Sequence, residues 1–106
     1  MNEFIQVVTT TEKQADALAI AHALVEQRLA ACVQIVGPIT SVYRWKGNIE
    51  TSQEWQCWAK GRRDGYPQME LAIRGHHPYE EPEILALPVV AGSASYLAWL
   101  DAQLNR

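Results

Sequence analysis

The sequence predicts an α+β fold of the ferredoxin-like, split β-α-β kind, a sandwich with an extended β-hairpin and an added C-terminal helix. Two observations carry this. The apolar periodicities run strand, helix, strand, strand, helix, strand and then helix again, which is the order of that arrangement, an open antiparallel sheet with helices on one side. The second and third strands flank a short turn as two arms, each roughly twice the usual five or six residues. A length of 106 residues suits one compact domain, taken here as residues 1–106.

Phe4 to Val8 is a short apolar run rich in β-branched residues and reads as a buried strand. Thr9-x-x-Glu12 and Thr11-x-x-Gln14 both fit the reciprocal capping pattern at a helix start. The alanine-rich helix to Leu29 is expected to bury Ala15, Leu18, Val25 and Leu29, with His22 at the edge of that stripe as a packed or half-exposed residue. Cys32 to Val36 and Ile39 to Trp45 form the first arm, with a bulge at Gly37-Pro38 because Pro cannot donate to the ladder. Lys46-Gly47-Asn48 is the turn, and Ile49 to Lys60 the return arm. Turn residues follow through Tyr66. Pro67 suits the first turn of a helix that carries Met69, Leu71, Ala72 and Ile73 and ends at a Gly75 cap. Ile84 to Leu87 is the last strand. Gly92 to Ser95 opens a helix on which Leu97, Leu100 and Leu104 share a face.

Composition narrows the function classes. The chain is 48% hydrophobic and 20% charged, as globular proteins are, and carries no low-complexity segment. A net charge of -3 with scattered Lys and Arg argues against nucleic acid. No apolar run approaches a membrane span of about 20 residues. Met1-Asn2-Glu3-Phe4 lacks the basic start of a secretory leader, so a cytoplasmic protein is expected. Cys32 and Cys57 lie several ladder positions apart if Cys57 sits opposite Gly37 and Cys32 pairs beyond Lys60. Reduced thiols are therefore expected.

Trp45, Trp55, Trp58 and Tyr43 all sit on the long hairpin, with Trp55 and Trp58 on opposite faces. A small domain has difficulty covering both sides of such a ribbon, so the hairpin reads as an oligomerisation arm.

The segment RGHHPYEEPEI, residues 74–84, crowds two histidines, two prolines, a tyrosine and three glutamates together. Leu29-Ala30-Ala31-Cys32-Val33, Ser41 to Glu50, His77 to Ile84, Leu87-Pro88 and Tyr96-Leu97-Ala98-Trp99 occur in an order and spacing that resemble the CutA divalent-cation tolerance proteins over nearly the whole chain. The resemblance implies a ferredoxin-like subunit in a tight homotrimer, hairpins crossing between subunits, and a link to copper and other divalent ions. It also implies likeness to the PII signalling proteins, which bind small effectors between subunits. Val8 stands where some members carry a cysteine proposed as a copper ligand. Gly61 stands where a threonine commonly follows the lysine, and Glu81 where an apolar residue is frequent.

His76 and His77 are the candidate metal ligands, with Glu80, Glu81 or Glu83 as oxygen donors. Cu(II) favours imidazole and carboxylate. Adjacent residues reach one ion only from irregular backbone, which Gly75 and Pro78 supply. The competing reading is structural: Pro78 holds His77 extended, and Tyr79 and Pro82 pack against the hairpin. An inter-subunit cleft would gather Lys60, Tyr79, Glu80, Glu50 and Trp45. No nucleophile elbow, phosphate loop or His-Glu-x-x-His is present, so no enzyme is expected. Lys60-Gly61-Arg62-Arg63 before a helix is the locus for a PII-like anionic effector, against a solvated basic turn. A purely structural trimer anchoring another protein is the third reading.

Overall fold

In a computed structural model that describes residues 3–105, the chain is a four-stranded antiparallel sheet with three helices. Met1 and Asn2, half of the stretch read for a leader, lie outside the described residues. The strands are β1 (Phe4–Thr11), β2 (Cys32–Trp45), β3 (Asn48–Arg62) and β4 (Leu85–Pro88), in the spatial order β2-β3-β1-β4. The helices are α1 (Gln14–Glu26), α2 (Tyr66–His76) and α3 (Ala94–Gln103). This is the expected split β-α-β arrangement.

β1 continues through the threonines that the sequence offers as a cap. Thr9, Thr10 and Thr11 pair with Cys57, Gln56 and Trp55 and are buried. A β-branched hydroxyl residue serves a strand as well as a cap, and here the long β3 supplies a partner. Lys13 occupies the N-cap of α1 without a side-chain bond, while the Thr11 hydroxyl donates to the Lys13 carbonyl at 2.8 Å.

The buried stripe of α1 is Ala17, Ile20, Ala21 and Leu24, not the expected Ala15, Leu18, Val25 and Leu29. Leu18 and Val25 are exposed, and Leu29 lies beyond the helix. Small Ala17 and Ala21 let the helix axis approach the sheet, close enough for the Cys57 thiol to donate to the Ala17 carbonyl at 3.4 Å. His22 is exposed, 3.9 Å from Glu26 one turn on.

The hairpin turns on two residues. Lys46 and Gly47 are both in the left-handed region, at φ 49 and 86, and Asn48 already pairs with Trp45. That is the backbone a two-residue hairpin loop requires. The register slips between Val36 and Ile39, around a cis Gly37-Pro38 bond, where the bulge was expected. Tight turn and slip together set Cys57 opposite Ile35 and Cys32 opposite Lys60, rather than Gly37 and a residue past Lys60. Three ladder positions, about 10 Å, separate the two thiols, and both are free.

α2 runs one residue past Gly75 and stops at His77, which is extended at φ -92 and ψ 131. Pro78, not a glycine cap, ends it by excluding helical geometry from the preceding residue. Ser93 caps α3, its hydroxyl accepting from the Tyr96 amide at 3.2 Å.

The core lies between the sheet and helices α1 and α2: Ile5, Val7, Ile20, Leu24, Ala59, Met69 and Ile73 are all nearly inaccessible. Trp55 packs against it. Lys60 and Arg62 alternate with core-facing Ala59 and Gly61, so they lie on the other face. There Arg62 holds Asp101 of α3 at 2.7 Å.

Candidate functional site

The irregular segment after α2 is tied down residue by residue. With Pro78 holding His77 extended, the imidazole swings back onto β1. Its Nε2–H donates to the Thr10 carbonyl at 2.8 Å, and its Nδ1 accepts the Tyr79 amide at 3.1 Å. That pair of bonds requires the neutral ring. Burial, the largest influence, pushes the His77 pKa below its ordinary value. The Tyr79 ring lies 4.8 Å from the imidazole, centroid to centroid, and its hydroxyl donates to Glu54 Oε2 on β3 at 2.7 Å. Burial and the adjacent Glu54 raise the phenol pKa, so Tyr79 remains a donor. Pro82 is buried in the same wall.

Between this segment and the hairpin lies a cleft of about 660 Å³. One wall is Ser41, Val42, Tyr43 and Trp45; Thr10 and Glu54 form the floor; the other wall is Tyr79 through Glu83. The lining is acidic. The Glu83 carboxyl is held above the usual range, first by burial and then by the charge of Glu54. At the rim, the Lys46 ammonium stands 5.6 Å above the Trp45 ring and 3.9 Å from Glu80.

Of the five residues expected at a cleft, Tyr79, Glu80 and Trp45 line this one. Lys60 and Glu50 do not. Lys60 donates to Gln34 at 2.8 Å and lies 5.9 Å from the Tyr96 ring, and Glu50 is exposed opposite Tyr43 in the hairpin ladder. Within one chain, Lys60 and Glu50 therefore do not join Tyr79. The basic turn is also engaged: Arg62 forks onto Asp64, with both bonds 3.1 Å, besides holding Asp101. Sequence reasoning missed Glu54 and Thr10, the two strand residues on which the segment hangs.

The histidine pair does not fit as a two-nitrogen metal site within one chain. Both nitrogens of His77 are committed to the backbone. His76 is exposed at the end of α2, its Nδ1–H donating to the Ala72 carbonyl at 2.9 Å, which leaves the lone pair on Nε2. Among the described residues, no three His, Cys, Asp or Glu side chains gather as a metal-ligating group. Nor, among the described residues, is any helix long and apolar enough to cross a membrane.

Fold and site define the class: a ferredoxin-like α+β protein with a projecting β-hairpin walling an aromatic, acidic cleft. The family model of the CutA1 divalent ion tolerance protein matches residues 5–103, and the chain belongs to that family. A divalent-cation tolerance protein CutA from Thermus thermophilus is 44% identical over 94 residues, 89% of this chain and 91% of that one. The crystal structure of CutA1 from the psychrotrophic bacterium Shewanella sp. SIB1 superposes with a TM-score of 0.95 at 38% identity, covering 99% of this chain and 98% of that one. The structure of a protein described as the periplasmic divalent cation tolerance protein CutA, from Archaeoglobus fulgidus, gives 0.93 at 31% identity, covering 96% and 99%.

Proposed function

We propose that the chain is a non-enzymatic protein of divalent-metal tolerance that binds copper, works as a homotrimer and resides in the cytoplasm. Family membership carries the metal-tolerance reading. For copper, the supporting observation is His76, which presents an imidazole nitrogen to solvent from a helix end. Imidazole suits Cu(II). One nitrogen makes a weak site, so the remaining donors come from water or from a neighbouring subunit. His77 joins only if its bonds to Thr10 and Tyr79 are given up.

The trimer reading is supported by what one chain leaves uncovered. Val42 and Ile49 on the hairpin are each 68% exposed, and Val90 beside β4 is 80% exposed. β2 and β4 are both sheet edges, whose unpaired backbone groups are templates for pairing. The free thiols of Cys32 and Cys57 suit the cytoplasm. An anionic effector of the PII type would need the basic turn, where Arg62 is already engaged by Asp64 and Asp101, and that reading is set aside.

Calorimetric titration with Cu(II) tests the reading. Binding should disappear in His76→Ala; an isotherm matching wild type would overturn the assignment. Sedimentation equilibrium tests the assembly, and a stable single chain at micromolar concentration would end it. Cell fractionation tests the compartment.

A further inference from the structure

We infer that His77 is a positioning residue and not a metal ligand: its ring fastens the start of the 77–84 segment to β1 and so sets the Tyr79 hydroxyl on Glu54, building one wall of the cleft. Two adjacent histidines then have separate duties. The role rests on the copper reading of His76 only where metal affinity is measured.

Residues 77–84 run from the end of α2 to the start of β4 outside any helix or strand. Among the described residues, no backbone–backbone hydrogen bond outside the regular elements involves residues 78–84. Side chains do the fastening. β4 pairs with β1 only as far as Val8, so no β4 residue stands opposite Thr10. The His77 Nε2–H fills that gap, donating to the Thr10 carbonyl at 2.8 Å as a strand amide would. Thr10 is buried, and a buried carbonyl without a donor is costly.

The other ring nitrogen acts as an Asn or Asp side chain does in a turn. Nδ1 accepts the amide two residues on, that of Tyr79, at 3.1 Å, with Pro78 fixing the backbone between them. The chain turned in this way places the Tyr79 ring 4.8 Å from the imidazole and its hydroxyl 2.7 Å from Glu54. A ligating imidazole needs a free lone pair. His77 commits its only one to the amide, and withdrawing it would leave that amide unpaired and loosen the wall. His76 is exposed and bonds its own helix through Nδ1–H, so its remaining lone pair carries no such duty. The two rings also diverge, one held to α2 and the other to β1.

The test compares His77→Asn with His77→Gln. Asn keeps an acceptor at the Nδ1 position but cannot reach Thr10. Gln keeps a donor at the Nε2 position but offers nothing to the Tyr79 amide. Neither replaces an imidazole as a copper ligand. Hydrogen exchange of the Tyr79 amide should be at least about tenfold faster in His77→Gln than in wild type, and His77→Asn should restore most of the protection. The ring nitrogen-15 spectrum of wild type at neutral pH should show His77 protonated at Nε2 alone, a readout that needs no variant. In Cu(II) calorimetry, His77→Asn should stay within about twofold of the wild-type affinity, while His76→Ala loses binding. Equal Tyr79 exchange in all three proteins, a His77 ring protonated at Nδ1, or a Cu(II) affinity that falls in His77→Asn as far as in His76→Ala would each overturn the inference. If wild type takes up no Cu(II), the copper reading fails alone, and exchange and tautomer still decide the role of His77.

Discussion

His77 and Thr10 are joined across 67 positions of sequence by a 2.8 Å bond from the imidazole Nε2–H to the strand carbonyl. The second ring nitrogen accepts the Tyr79 amide, so the ring must be uncharged to make both contacts. Burial holds its pKa below the ordinary value. The unfolded chain, with a histidine pKa of about 6.5, therefore binds more protons across that interval. The stabilisation is present above about 6.5 and is lost as pH falls from there through the folded pKa. Glu83, raised in the folded state, contributes with the opposite sign, but in the lower range of carboxylates. Urea midpoints should thus hold steady down to about pH 6.5 and fall from there toward about pH 5.5, and His77→Gln should flatten that slope. An unchanged slope in the variant would show that other groups set it.

Tyr79→Phe removes the donor to a buried carboxylate while preserving the ring. The expected cost is about 1–3 kcal/mol, because Glu54 is left unsatisfied. Chemical denaturation of Tyr79→Phe, Glu54→Gln and the double variant checks it. The double variant should lose less than the sum of the single losses, and strict additivity would count against the bond.

Gly61 is a packing requirement of this chain. A Cβ there would come within 2.8 Å of the Leu29 carbonyl and 2.9 Å of Met69 Sδ. Gly61→Ala should cost about 1–3 kcal/mol through overpacking. Gly65→Ala, where a Cβ meets nothing within 4 Å, should stay within about 0.5 kcal/mol of wild type. Thermal melts of the two variants side by side decide the matter, and equal shifts would refute the steric account.

The two cysteines should react differently. Burial pushes the Cys57 thiol up to about 11, and its hydrogen faces the Ala17 carbonyl. Cys32 is only half-buried on the outer arm. At pH 8 a thiol-disulfide reagent should label Cys32 alone in native protein and both residues in denaturant. Rapid native labelling of Cys57, read by peptide mass, would contradict the packing seen around it.

Order and type of the elements were legible because the arms are long and β-branched and turn residues separate strands from helices. The inward face of α1 was not. Ala15, Ala17, Ala19, Ala21 and Ala23 blur any contrast between faces, and the winning side depends on how closely the helix approaches Cys57. Thr9 to Thr11 satisfy a cap pattern and a strand equally, and only the partner strand decides. At the site, Tyr79, Glu80 and Trp45 stood out as unusual residues in unusual places. Glu54 did not, since one carboxylate on a polar ribbon looks like any other until a tyrosine 25 residues away lands on it. Lys60 shares a face of β3 with Glu54, but six residues, about 20 Å along the strand, set it apart from this cleft, a distance that only the register reveals.

The register slip between Val36 and Ile39 divides the ribbon into an inner length, whose return strand is also laddered to β1, and an outer length tied to the Tyr79–Glu83 segment through Glu54 and Lys46. Under the proposed assembly, heritable change at the tip alters association while leaving the β1–β3 ladder untouched. Two traits that are entangled in most small proteins can drift independently here.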